Sequence, residues 1–112
     1  MSKAAITTHI LNLDSGTPAA GVKVSLFNTK DTAPIASAVT DKDGRVLQWD
    51  SYFALQLGTY RLEFAVGDWF SQQGRSSFYP EVQLTFSVTN TAEHYHLPLL
   101  LNAYGYSTYR GS

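Results

Sequence analysis

The sequence predicts an all-β protein: a two-sheet antiparallel sandwich of about eight short strands with one short helix. Two observations predict it. Apolar residues recur with a period of two along most of the chain, and turn-forming residues interrupt that alternation at short intervals. A single segment reads as helix instead. Ile6-Thr7-Thr8-His9-Ile10-Leu11-Asn12-Leu13 is the first strand, closed by the turn residues Asp14-Ser15-Gly16-Thr17-Pro18. On it Ile6, Thr8 and Ile10 share one face and Thr7, His9 and Leu11 the other, so His9 points away from both isoleucines. Val22-Lys23-Val24-Ser25-Leu26-Phe27 is a cleanly alternating second strand, and Ile35 to Thr40 a short third. Asp41-Lys42-Asp43-Gly44 is a turn that delivers Arg45 to the next extended piece. From Gly58 to Val66 the alternation returns, with Tyr60, Leu62, Phe64 and Val66 on one face. Asp68 to Gly74 begins with an N-cap residue and ends with a stop glycine, and is the predicted helix. Glu81 to Val88, His94 to Leu101 and Tyr104 to Tyr109 complete the strands.

Composition bounds what such a sandwich can do. At 112 residues the chain is expected to form one domain over residues 1–112, long enough for a single core. A net charge of −1 and a pI near 6.2 give no field to attract nucleic acid or an anionic membrane. The expected partner is therefore a small molecule or another protein, with no nucleic acid and no membrane. The chain has no cysteine, which excludes disulfides, thiolate metal sites and a cysteine nucleophile. Met1-Ser2-Lys3 leads straight into Ala4-Ala5-Ile6 without an apolar run of secretory or spanning length. The expected location is cytoplasmic, or periplasmic if a leader has been cleaved.

Few residue patterns carry chemistry. The nine residues from Tyr104 to Ser112 are tyrosine-rich and include an arginine. Chain ends are ordinarily frayed and polar, so this tail is expected to be docked and to line a site. His94 and His96, two apart on a strand, face the same side, with Tyr95 on the other. Such a pair can chelate a metal, but zinc takes three or four ligands and His9 is the sole further histidine. The alternative reading makes His94 an ordinary edge-strand histidine. Asp41-x-Asp43-Gly44 begins like a calcium loop, yet its glycine comes too early and the closing glutamate is missing. Ser107 has no nucleophile elbow and no acid partner in sequence, and phosphate-cradling or dinucleotide glycine patterns do not occur. Neither a metal nor an organic cofactor is expected.

The opening Thr8-His9-Ile10-Leu11-Asn12 with Gly16-Thr17-Pro18-Ala19, the turn Asp43-Gly44-Arg45, and the stretch from His94-Tyr95-His96-Leu97-Pro98 through Tyr109-Arg110-Gly111-Ser112 resemble the 5-hydroxyisourate hydrolases. These are the transthyretin-related enzymes of purine catabolism. The resemblance covers nearly the whole chain, and the terminal Tyr-Arg-Gly-Ser is its most discriminating part, because hormone-carrying transthyretins lack it. One departure is Asn102-Ala103, where the family commonly has Ser-Pro.

The resemblance implies a transthyretin-like sandwich, a homotetramer built as a dimer of dimers, and active sites in the channel between dimers. It implies hydrolytic opening of the substrate at its N1–C6 amide bond, giving 2-oxo-4-hydroxy-4-carboxy-5-ureidoimidazoline. It maps the site onto His9, Arg45, His96 and the tail from Tyr109 to Ser112. His96 is then the base or the water-orienting group, and His9 its partner or the alternative base. Arg45 binds substrate and stabilises charge, Tyr109 contacts substrate, and Arg110 with the Ser112 carboxylate sets the pocket. These residue types suit the reaction: a neutral imidazole can take a proton from water, and a planar guanidinium can hold a developing oxyanion. The competing reading is a transthyretin-like carrier of small aromatic ligands that does no chemistry, for which a titratable base beside an arginine has no use. A structural or adhesion sandwich would leave the docked tail without purpose.

Overall fold

Alternating segments become strands because one face of each is apolar and has to be buried against another sheet. The structure, a computed structural model, describes residues 4–112. Met1, Ser2 and Lys3, where the reading of the leader begins, lie outside the described residues. One sheet of five strands contains β1 (Ile6–Asn12), β2 (Thr17–Pro18), β5 (Arg45–Val46), β8 (Tyr95–Asn102) and β9 (Gly105–Thr108), in the order β2-β1-β8-β9. β5 pairs with the same strand β1, through Thr8 and His9. The second sheet runs β4 (Ala36–Val39), β3 (Lys23–Asn28), β6 (Gly58–Phe64), β7 (Val82–Val88). Between them Ile6, Ile10, Leu97, Leu99 and Leu101 meet Val24, Leu26, Tyr60, Leu62, Phe64 and Val82 in one core. Burying each such aliphatic or aromatic side chain contributes about 1.5–3 kcal/mol.

The predicted strands are all present, within two residues at either end. Three features differ from the expectation. The sandwich is not wholly antiparallel, since β1 and β8 pair in parallel from Ile6↔Tyr95 to Asn12↔Leu101. Two strands far apart in the chain can align this way because the whole second sheet serves as the crossover between them. Thr17 and Pro18, expected only as turn residues, fold back as β2 onto Asn12 and Leu11. The helix α1 spans Val66–Ser71 and starts ahead of Asp68, with Ala65 at its N-cap and no capping side chain. Tertiary contact replaces the cap: the Pro80 carbonyl accepts the Gly67 N–H at 3.0 Å, and Val66, Trp69 and Phe70 are buried. Asp68 falls in the first turn, where its charge suits the helix dipole. Among the described residues no helix is long and apolar enough to cross a membrane.

Two local devices place residues on the outer face of the five-stranded sheet. The Asp41 carboxylate accepts the backbone N–H groups of Asp43 at 2.9 Å and Arg45 at 3.0 Å, and its backbone N–H donates to the Arg45 carbonyl at 2.9 Å. This Asx-type turn delivers Arg45 into β5. Tyr95, 3% exposed, points its ring into the core while its hydroxyl accepts the N–H groups of Thr89 and Asn90 at 3.1 and 3.0 Å. That fixes the loop ahead of β8. At the end of β8 the Asn102 side chain accepts the Tyr104 N–H at 3.1 Å, so this turn is stiffened although it holds no proline.

Gly44 completes the Asp41 turn with φ at +74°, and a Cβ there would stand 2.5 Å from the Ile10 carbonyl oxygen. Gly16 has a similar φ of +73° but open space around it. Gly16→Ala should thus report backbone strain alone, about 1 kcal/mol, whereas Gly44→Ala should lose about 1–3 kcal/mol more as the β1–β5 contact is forced apart. Urea unfolding of the two variants measures the difference, and equal losses would contradict the close approach at Gly44.

Candidate active site

Period-two alternation sends Thr7, His9 and Leu11 of β1 to the face opposite Ile6 and Ile10, as the sequence predicts. Register then assembles the site. His9 stands directly opposite Arg45 on β5 and opposite Pro98 on β8. Directly opposed residues have Cβ atoms roughly 5 Å apart, so the imidazole and the guanidinium are neighbours. The next row joins Thr7 to His96, and His96 to Gly111 of the tail. β9 follows β8 with Leu99↔Thr108, and the His96↔Gly111 bridge keeps that register, which sets Tyr109 opposite Pro98 in the row of His9 and Arg45.

Each group is held in a defined state. His9 is half-buried, and burial first and the Arg45 charge second push its pKa below the usual histidine value. A hydrogen bond to the Asp43 backbone and the charges of Asp41 and Asp43 oppose this without reversing it. At neutral pH His9 is an uncharged ring with a lone pair to offer. Around His96 the packing is tighter: its Nδ1 lies 2.7 Å from the Thr7 hydroxyl, which also lies 3.1 Å from His94 Nε2. The Gly111 N–H donates to the His96 carbonyl at 2.8 Å. A Cβ at Gly111 would come within 2.6 Å of His96 Cδ2, so only glycine lets the tail pass under that ring.

The structure brings His9, Arg45 and His96 to one sheet face and runs the tail along the β8 edge of that sheet. Tyr109 is 60% exposed at that face's margin. Arg110 is directed elsewhere: it donates to the Glu93 carboxylate at 2.8 Å, and its guanidinium carbon lies 4.5 Å from the centre of the Tyr95 ring. Ser112 is exposed beyond Gly111. Sequence reasoning missed two participants, Thr7 and Tyr95. Thr7 was legible as an outer-face residue but lacked a signal for its partner, whereas Gly111 lay within the quoted Tyr-Arg-Gly-Ser. Among the described residues no three His, Cys, Asp or Glu side chains gather as a ligand set for a metal ion. Asp41, in the segment that begins like a calcium loop, directs its carboxylate to backbone N–H groups.

A two-sheet sandwich with one parallel strand pair, imidazoles and an arginine on the outer face of one sheet, and a tail bridged to that face defines a transthyretin-like protein. The HIUase/Transthyretin family model matches residues 6–111, and the chain belongs to that family. It is 46% identical to the 5-hydroxyisourate hydrolase of Caulobacter vibrioides, covering 96% of this chain and 97% of that one. The solved 5-hydroxyisourate hydrolase of Klebsiella pneumoniae superposes with a TM-score of 0.84 at 40% identity, over 96% of this chain and 98% of that one. Sea bream transthyretin, solved in complex with thyroxine, gives a TM-score of 0.86 at 27% identity, over 96% and 95%.

The depressed pKa of His9 has a definite sign for stability. Between its folded value and the usual ~6.5 the unfolded chain holds a proton that the folded chain lacks. Stability from this group is complete above ~6.5 and is lost as pH falls through that window. Arg45→Gln removes the repulsion but leaves the burial, so the His9 midpoint should rise part of the way toward 6.5. Titration of the His9 ring by NMR reads this directly, and an unchanged or lower midpoint would refute the His9–Arg45 coupling.

Proposed function

We propose that this chain hydrolyses 5-hydroxyisourate to 2-oxo-4-hydroxy-4-carboxy-5-ureidoimidazoline, by attack of water on the C6 carbonyl and cleavage of the N1–C6 bond. The observation that carries the reading is the His9–Arg45 cross-strand pair standing one row from His96, in a chain whose relatives are named for that activity. A flat, polar, anionic ring suits a planar guanidinium that can hold a carbonyl oxygen as it gains negative charge. His96 takes the proton from water and returns it to the departing N1. His9, kept uncharged by burial and by Arg45, orients that water. Tyr109 contacts the ring, while Arg110 sets the course of the tail through Glu93 and Tyr95 and Ser112 closes it.

The whole of residues 1–112 is read as one such domain, and four copies as a dimer of dimers. A flat sheet face gives a substrate ring one wall only, and a second copy facing it supplies the other. The outermost strands β7 and β9 of the two sheets leave free backbone groups at neighbouring edges, which suits edge-to-edge pairing within each dimer. The similarity to a thyroxine-bound transthyretin favours a carrier as the second reading. His9 and Arg45 weigh against it, since binding alone needs no uncharged base beside a cation.

Freshly generated 5-hydroxyisourate, followed by absorbance, should decay faster with the protein than without it. A carrier would leave the decay unchanged. His9→Asn and His96→Asn should each lower kcat roughly 10²-fold, and together by far less than the product of the two, because they act on one water. Arg45→Lys keeps the charge but loses the planar fork, and should also lower kcat substantially. Exhaustive chelation should leave the rate intact, because water, imidazole and guanidinium suffice for opening an activated cyclic amide. Near-normal rates in the histidine variants would sink the assignment.

The tail makes a separate test. Deleting residues 109–112 removes the Gly111 bridge and no buried core residue. The shortened chain should fold with near-normal stability yet lose at least about 10²-fold in rate, the scale of a positioning error of about 1 Å. Circular dichroism and the absorbance assay on the same sample check both halves. A truncated chain of full activity would exclude the tail from the site.

A further inference from the structure

Thr7 is the buried hydroxyl whose partners are unlike those of its neighbour. Thr8, on the core side of the same strand, does what a buried threonine ordinarily does and donates to a backbone carbonyl, that of Leu97, at 2.6 Å. Thr7, 1% exposed, instead holds its oxygen between two imidazoles, 2.7 Å from His96 Nδ1 and 3.1 Å from His94 Nε2. The two rings lie nearly parallel, 22° apart in plane with centres separated by 6.4 Å. A hydroxyl has one proton, so with both rings neutral it donates to one and must accept from the other. The protonated nitrogen of His96 and that of His94 are therefore coupled through a single oxygen.

The oxygen is also fixed in place. Its backbone lies in register with His96 at the second pair of the parallel ladder, and a β-branched side chain has little rotational freedom at χ1. We propose that Thr7 is the positioning residue for His96, its hydroxyl accepting a hydrogen bond from Nδ1–H of that ring and donating one to His94 Nε2. His96 then carries its lone pair on Nε2, the arrangement a base needs, and its ring is held against rotation. His94, exposed at the start of the strand, is the solvent-side end of the chain of hydrogen bonds. Nothing is transferred in the resting state. After His96 takes a proton at Nε2, the stronger Nδ1–H···Oγ1 bond steadies the imidazolium until the proton goes to the departing nitrogen. This assignment rests on the proposed hydrolysis, and its structural half stands apart from it.

The test uses the full chain with Thr7→Val, which matches the shape and suits a strand but lacks the hydroxyl, and Thr7→Ser, which restores it. Thr7→Val should lower kcat roughly ten- to a hundredfold with KM within about twofold, and Thr7→Ser should recover most of the loss. Nitrogen-15 NMR of histidine-labelled protein should show His96 protonated at Nδ1 in the wild type and shifted toward the Nε2–H form in Thr7→Val. Wild-type kcat in Thr7→Val, a Thr7→Ser variant as impaired as Thr7→Val, or identical His96 nitrogen shifts in all three proteins would overturn the proposal. If the wild type does not accelerate the decay of 5-hydroxyisourate, the hydrolase reading falls, and the nitrogen shifts still decide whether Thr7 sets the His96 tautomer.

Discussion

The parallel pairing of β1 with β8 is the constraint on which the rest depends. It joins residues that are 89 apart in the chain, Thr7 and His96, and in doing so puts every outer-face group of β1 beside one of β8. Its register is enforced from the opposite side of the sheet. Ile6, Ile10, Leu97, Leu99 and Leu101 are buried in the core, and a slip of one residue would turn a full set of apolar side chains outward and drive His9 in. The hydrophobic effect thus fixes the geometry of polar groups that it never touches. Loop-closure entropy opposes so distant a pairing only logarithmically, and the hydrogen bonds from the Tyr95 N–H to the Ala5 carbonyl and from Leu13 to Leu101 extend it beyond both strand ends.

Around that pair, short elements act as fasteners. Asp41 ties the turn that presents Arg45, Tyr95 ties the loop that precedes His94 and His96, and the tail is held from two directions. Gly111 bonds to the His96 backbone on one strand edge while Arg110, one residue earlier, reaches back to Glu93 and lies over the Tyr95 ring. Successive residues of an extended tail point to opposite sides, so one can serve the face and the next the edge. The Arg110–Glu93 pair is solvent-exposed and contributes little to stability by itself. Its consequence is directional, since it sets where Tyr109 and Gly111 lie.

Much of this is legible in the amino-acid sequence. Alternation located the strands and faces, correctly turning His9 outward and Tyr95 inward, and Asp41-x-Asp43-Gly44 was readable as the turn that delivers Arg45. What the sequence could not supply was non-local. The parallel direction of β1 and β8 depends on which distant strands meet, and local periodicity is the same for either direction. The helix began at Val66 rather than Asp68 because the Pro80 carbonyl, a tertiary partner, took the place of a side-chain cap. Thr7 reads in sequence as one more strand threonine, and its partnership with two imidazoles exists only once the register is known. Arg110 was legible as part of the tail, but not its hold on Glu93.

The same alternation that builds the sheet separates two kinds of inheritance. Odd positions of β1, Thr7, His9 and Leu11, belong to the outer face, and even ones, Ile6, Thr8 and Ile10, to the core. Substitutions on the outer face leave the packing between sheets untouched, so the scaffold can be kept while the chemistry on its surface is rewritten. A thyroxine-bound transthyretin that overlays this chain at 27% identity with a TM-score of 0.86 shows how far sequence can drift while the sandwich persists. In evolutionary terms, such a sheet is a page with writing on one side and binding on the other, and selection can edit the first without loosening the second.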